Sequence, residues 1–317
     1  MEFGFGAPSR GPLASPENLV ALAQKGEELG FEILSVSDHV VVPNSIASVY
    51  PYNESGAFVS SVAGEYMEQL TTISYLAGIT STIKLLTSVM VLPHRPPALT
   101  AKILSTIDVL SNGRLIVGCG VGWMKEEFEA IGAPPYEERG AVGSEYLRVF
   151  KELWTNDDPT FDGDYARFSD IAFAPKPVQK PHPPIWIGGE SPPALRRAGQ
   201  LGDAWYPICS NPKFPVGTFE QLADYQGRVR SHAEDAGRDP ASMDFAYSVN
   251  WYDDTESRIV DGERRLLTGN AELISDDIKR LESMGVNHLM LNFQGETLED
   301  TFGLLERFTE NVRPMTV

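Results

Sequence analysis

The chain has 317 residues, 42% of them apolar, enough to bury a large core as two ordinary domains or as one barrel. Its formal charge of −18 repels phosphate polymers, which excludes a general nucleic-acid or anionic-membrane surface and confines any anionic ligand to a local pocket. No apolar stretch approaches membrane-spanning length, and Cys119 and Cys209, the only cysteines, have no metal-type spacing. The expectation is a soluble, cytoplasmic protein with no metal site.

Strand-like runs alternate with amphipathic segments along the whole chain, the pattern of βα units around a parallel sheet. The first run is Glu2 to Gly6, followed by a helix from Pro16 to Leu29 with Ser15 as its cap. The second, Phe31 to Ser37, leads into a segment from Asp38 to about Glu65 that carries Pro43, Pro51, Gly56, Gly64 and several aromatics. A loop of that length in a compact domain reads as a lid or binding loop. The third and fourth runs are Ile83 to Leu92 and Leu115 to Gly118. Between the fourth and fifth, Phe161 to Phe168 reads as a hairpin turning near Asp162 and Gly163, placed over part of the barrel mouth. The remaining runs are Ile185 to Gly188, Ala204 to Tyr206, Met243 to Asn250 and His288 to Asn292, with a helix from Asp276 to Met284 closed by Gly285 before the last. Eight such units without a linker predict one (β/α)₈ TIM barrel over residues 1–317, with long insertions at its carboxyl face.

Functional groups of such a barrel sit just after its strands. Asp38 and His39 follow the second strand, where the acid can orient the imidazole and set its tautomer for proton transfer; the alternative is a capping Asp and a His bonded only to its loop. His94, His182, His232 and His288 read as structural or solvated. Gly118, Gly120 and Gly122 after the fourth strand either let a flat ligand or phosphate approach the backbone or serve tight packing. After the fifth strand, Gly188, Gly189, Glu190 and Ser191 precede Pro192 in a loop suited to an anion, with Ser191 as N-cap, and equally suited to an ordinary capped turn. Phe58, Tyr66, Trp123 and Trp251 are candidates for an apolar pocket or for the core.

Together these segments resemble the bacterial luciferase-like monooxygenase superfamily, and more closely its deazaflavin (coenzyme F420)-dependent oxidoreductase branch. The resemblance spans nearly the whole chain: Leu29-Gly30-Phe31 to Ser37-Asp38-His39, Leu86-Thr87-Ser88-Val89 with Leu92-Pro93-His94-Arg95-Pro96, Leu110 to Arg114 leading to Gly118-Cys119-Gly120-Val121-Gly122-Trp123, and Pro183 to Gly189. It implies a barrel binding F420, or alternatively FMN, at its strand ends, a homodimer, and hydride transfer between F420 and a small-molecule substrate; the alternatives are an FMN-dependent monooxygenase using reduced flavin and oxygen, or a noncatalytic flavin-binding protein on the same fold. It implies a cis peptide between Ser88 and Val89 in a bulge pressing on the cofactor's central ring, Asp38 and His39 beside that ring with His39 as the catalytic acid or base, and Gly188 to Ser191 around the phosphate. Glu190 is then expected to turn its carboxylate away, with Arg196 or Arg197 compensating. Related sugar-phosphate and alcohol dehydrogenases carry a tryptophan shortly after the histidine and a glutamate after the fourth strand, where this chain has Pro43 and Trp123.

Overall fold

The computed structural model describes residues 1–58, 65–260 and 262–316. Eight parallel strands form the barrel: β1 (Glu2–Gly6), β2 (Ile33–Val36), β3 (Lys84–Thr87), β4 (Leu115–Gly120), β5 (Ile185–Gly188), β6 (Ala204–Tyr206), β7 (Asp244–Val249) and β8 (His288–Leu291). Each pairs with its neighbour in chain order, β1 pairs with β8, and β3 pairs with β4 through Leu85↔Leu115 and Leu86↔Ile116, so the ring closes. The predicted strands match these to within one or two residues, except the third: Lys84–Thr87 ends early and Met90–Val91 pairs separately with Cys119 and Gly120.

Strand alternation divides the core into two layers. Ile33, Leu86, Ile116, Trp186, Ala204, Tyr206, Ala246 and Met290 point inward and fill the barrel. Their neighbours, such as Phe5, Leu34, Leu85, Val117, Ile187 and Tyr247, point outward and meet the helices. Two large inward rings, Trp186 and Tyr206, share this layer with the small side chains of Ala204 and Ala246. A Cβ on Gly4 would lie 2.4 Å from the Met290 sulfur.

The helices are α1 (Pro16–Glu28), α2 (Gln69–Ile79), α3 (Pro97–Leu110), α4 (Lys125–Ile131), α5 (Arg139–Thr155), α6 (Pro192–Leu201), α7 (Phe219–Asp235), α8 (Ala271–Ser283) and α9 (Leu298–Arg307). Ser15 caps α1 by accepting from the Asn18 N–H, as its position predicts. The helix expected from Asp276 begins five residues earlier, where the Asn270 side chain accepts from Leu273. Phe161–Asp162 and Arg167–Phe168 do form a hairpin, but its turn lies on the flank of α5. There Glu145 accepts the N–H groups of Asp164, Tyr165 and Ala166, and among the described residues the hairpin lines neither of the two cavities at the barrel mouth. Of the long loop after β2, Gly64 and its five predecessors lie outside the described residues.

Candidate active site

A cavity of about 790 Å³ opens across the carboxyl ends of β2 to β7. The loop after β2 contributes Tyr50, Tyr52 and Phe58 to its wall, and Trp123 faces them, with ring centroids of Tyr50 and Phe58 5.1 and 5.2 Å from the indole. Tyr66 also lines it, so three of the four expected aromatics are here. The fourth, Trp251, lies outside, donating to the Leu266 carbonyl.

The floor is the bulge after β3. The Ser88-Val89 peptide is cis, as expected, and the Ser88 hydroxyl lies 3.0 Å from that of Tyr206. The Val89 side chain fills space that glycines leave open: a Cβ on Gly120 would come within 2.7 Å of it and one on Gly188 within 3.1 Å. Gly118 abuts the Thr87 carbonyl, and Gly122, at φ +82°, abuts Phe128 and Val91. The glycine series after β4 therefore serves packing, and Gly120 acts on the cavity by seating Val89.

Asp38 does not do what its place beside His39 suggests. Its carboxylate, without exposed surface, accepts two hydrogen bonds from Arg95 at 2.7 and 2.8 Å and one from the Val91 N–H at 2.9 Å. Arg95 also holds Glu68, the N-cap of α2. Adjacent residues of an extended chain point to opposite sides, so Asp38 faces into the scaffold while His39 faces the cavity. Asp38 clamps the bulge; it neither orients His39 nor offers its carboxylate to a ring.

The orienting group is Glu127, in the first turn of α4. Its Oε2 lies 2.8 Å from His39 Nδ1, and its Oε1 accepts the N–H groups of Val40 and Val41 at 2.7 and 3.2 Å. Burial opposes its ionisation, but the bond to His39, the neighbouring imidazoles of His39 and His94, and the Val40 N–H together hold the carboxyl below its ordinary range. A carboxylate only accepts, so Nδ1 carries the proton and Nε2 is the nitrogen left for other work. The glutamate missing at the position of Trp123 is thus supplied four residues later. His94 lies behind it, buried, with neither nitrogen hydrogen-bonded among the described residues; burial lowers its pKa.

Glu126 turns the other way and accepts from Ala47 and Ser48, while the Ser48 hydroxyl accepts from the Lys125 N–H and caps α4 from across the gap. Loop and helix are tied by reciprocal bonds.

At the far end the loop after β5 meets α6. Gly189 has φ +100°, and a Cβ there would sit 3.2 Å from that of Ala194. Ser191 is the N-cap by position only: N1 and N2 are Pro192 and Pro193, and the Ala194 N–H bonds the Ser191 carbonyl, so no N–H is left for its hydroxyl. The N–H groups of Glu190 and Ser191 make no backbone–backbone hydrogen bond among the described residues. Arg197, expected as one of two compensating cations, is buried and donates to Ser144 and the Gly140 carbonyl, while Arg196 is exposed. Arg139, unforeseen in the sequence, lines the same end over the Tyr136 ring. The Glu190 carboxylate points away, as expected, accepting from the Ile208 N–H and the Asn211 amide; burial pushes its pKa up to about 7. These groups fit a phosphate: a glycine cradle, an uncommitted hydroxyl, backbone donors and two guanidiniums.

Of the other histidines, His288 bridges Glu2 and Asp244 at 3.0 and 2.8 Å at the amino end of the barrel, and His182 bonds a loop carbonyl. Among the described residues no cluster of three metal-type ligands occurs, and no helix is long and apolar enough to cross a membrane.

Fold and site together define a (β/α)₈ barrel with a cavity at its carboxyl face, walled by a hydrogen-bonded His39–Glu127 pair and by the glycine loop after β5. The family described as luciferase-like monooxygenase matches residues 1–271, and the chain belongs to it. An FMNH(2)-dependent dimethylsulfone monooxygenase of Pseudomonas putida is 30% identical, with 81% of each chain covered. Among solved structures, the monooxygenase RslO1 from Streptomyces bottropensis superposes with TM-score 0.76 at 20% identity over all of both chains. An F420-dependent secondary alcohol dehydrogenase in complex with an F420-acetone adduct does so with TM-score 0.76 at 19% identity, covering 100% of this chain and 99% of that one.

Proposed function

We propose that this oxidoreductase transfers a hydride between coenzyme F420 and a small organic substrate. The observation that carries this reading is the His39–Glu127 pair at 2.8 Å on the cavity wall, an acid–base device of the kind needed when a carbonyl and an alcohol interconvert. When bound, the deazaflavin supplies the carbon that gives or takes the hydride. Gly189, Ser191, Arg139 and Arg197 would hold its phosphate, and Val89 would support its ring. His39 Nε2 holds or releases the substrate oxygen's proton, and Glu127 stabilises the imidazolium that results. The loop after β2 acts as a lid that excludes water. A second reading, reduced FMN with oxygen, is favoured by the named activity of the Pseudomonas putida relative.

Titrating the purified protein with F420 and with FMN, followed by fluorescence quenching, separates the two. Tight F420 binding with weak FMN binding supports the first; the reverse, with oxygen uptake on reduction, replaces it with the second. The same reading takes the protein as a cytoplasmic homodimer. Cys119 and Cys209 are buried and unpaired, and Tyr75, Leu99 and Leu110 on α2 and α3 are exposed apolar residues suited to a second copy. Sedimentation equilibrium measures the latter.

A further inference from the structure

A second cavity, of about 280 Å³, adjoins the first at the ends of β1, β7 and β8 and shares Arg10, Ser37, Ser88 and Tyr206 with it. Its chemistry is different. Four carboxylate residues, Asp38, Glu127, Glu137 and Glu190, border the larger cavity; none borders the smaller. In a chain with 44 acidic and 26 basic residues, a cavity wall without carboxylates offers an anion little short-range repulsion. Its polar wall consists of five serines, two asparagines, a glutamine, a threonine and two tyrosines, all uncharged, with one cation, Arg10.

Arg10 is the one charged member of that wall. It is exposed, donates to the Tyr66 hydroxyl at 2.8 Å and makes no ion pair among the described residues. It stands where the two cavities join. The side-chain amide of Gln294, an exposed residue of the same wall, makes no protein hydrogen bond among the described residues. A guanidinium without an acidic partner at the rim of a neutral, hydrogen-bonding chamber matches a carboxylate attached to a small polar body. At about 30 Å³ per water-sized group, the chamber admits about ten non-hydrogen atoms.

We propose that the smaller cavity is the substrate compartment and that the substrate is a small organic acid, its carboxylate held by Arg10 and its body by the serine and amide wall. This rests on the larger cavity being the cofactor's. Tyr66, which Arg10 holds, lies with its ring centroid 4.8 Å from that of His39, so the acid's charged end docks one residue away from the proton-handling group.

The test is ligand-observed saturation-transfer NMR with lactate and lactamide, a pair of equal size with a hydroxyl-bearing body that differ in charge, on cofactor-free protein and on protein loaded with whichever cofactor binds. Lactate should bind at least tenfold more tightly than lactamide, and weaken with salt. Arg10→Gln should abolish that preference, and Gln294→Trp, which narrows the chamber, should weaken both probes. Equal binding of acid and amide, unchanged lactate affinity in Arg10→Gln, or no binding of either probe by folded protein overturns the proposal. Cofactor titrations on the same samples are read separately. Lactate selectivity lost in Arg10→Gln without binding of either cofactor would sink the proposed function and leave the anion compartment standing; cofactor binding without that selectivity would do the opposite.

Discussion

Replacing Glu127 with glutamine should reverse the tautomer of His39. In the parent the carboxylate accepts from Nδ1–H on one oxygen and from the Val40 and Val41 N–H groups on the other. The amide keeps one oxygen, and two backbone donors compete for it against one imidazole. The oxygen stays with the backbone, the NH₂ faces His39, and the ring must then accept at Nδ1 and carry its proton on Nε2. Loss of a buried charge-assisted hydrogen bond costs ~2 kcal/mol. The unfolding entropy of a 317-residue chain is about 0.7 kcal/mol/K, so Tm should fall by about 3 °C. Turnover should fall ~10²–10⁴-fold, because Nε2 can no longer take a proton. Long-range ¹H–¹⁵N correlation spectra report the tautomer without any substrate, and with only five histidines the assignment is tractable. An Nε2–H imidazole in the parent, or an unchanged Nδ1–H imidazole in the glutamine variant, would refute the assignment of roles.

Gly189→Val should weaken cofactor binding by more than tenfold but spare a dephosphorylated analogue, since φ +100° strains a branched residue and its Cβ crowds Ala194; equal losses for both ligands would place the phosphate elsewhere. Arg197→Met should act in the same direction, because this arginine is buried at the cavity's anion end and is no solvated helix residue. Glu190 has its folded pKa raised by burial to about 7 from 4.5, so the folded state binds the extra proton and stability falls as pH rises from about 4.5 through 7. The loss is on the order of 3 kcal/mol, and Glu190→Gln should flatten it in denaturant titrations across that range. At the other end of the barrel, burial lowers the pKa of His288 but Asp244 and Glu2 raise it further, so its stabilisation is present below about 6.5 and lost as pH rises through the folded value. Glu2, held near 2 chiefly by His288, contributes above 4.5 and loses its contribution as pH falls towards 2. His288→Gln should erase the first slope in thermal melts and reduce the second, which Lys84 still supports through its own bond to Glu2.

Periodicity and punctuation carried the barrel: strand-length apolar runs, Ser15, Gly285 and the loop after β5 are local signals and appear where the sequence puts them. What failed was long-range. Asp38 looked like the partner of His39 because it is adjacent in sequence, yet adjacency in an extended segment sends the two side chains apart. The true partner lies 88 positions away on α4. The one sequence signal for it is an acid pair in the first turn of the helix after β4, read as helix-dipole decoration by ordinary rules. Ser191 looked like a capping hydroxyl until Pro193 is counted as a missing donor. Arg197 could not be separated from Arg196 by composition, although 100° of helix rotation buries one and exposes the other.

The same rotation gives the connection between β4 and α4 a strict length. Glu126 and Glu127 are one residue apart and hold different things: the first the Ala47 and Ser48 amides, the second the imidazole of His39. Inserting or deleting a single residue between Gly120 and Lys125 turns the helix by about 100°, pulling both carboxylates off their partners at once. Residues 49–58 carry no such phase, because they reach the cavity through side chains on an irregular path. Natural variation in ligand preference within this architecture is therefore free to enter through the length of the loop after β2, and is barred from the turn after β4, where one added residue unseats the acid–base pair and the loop anchor together.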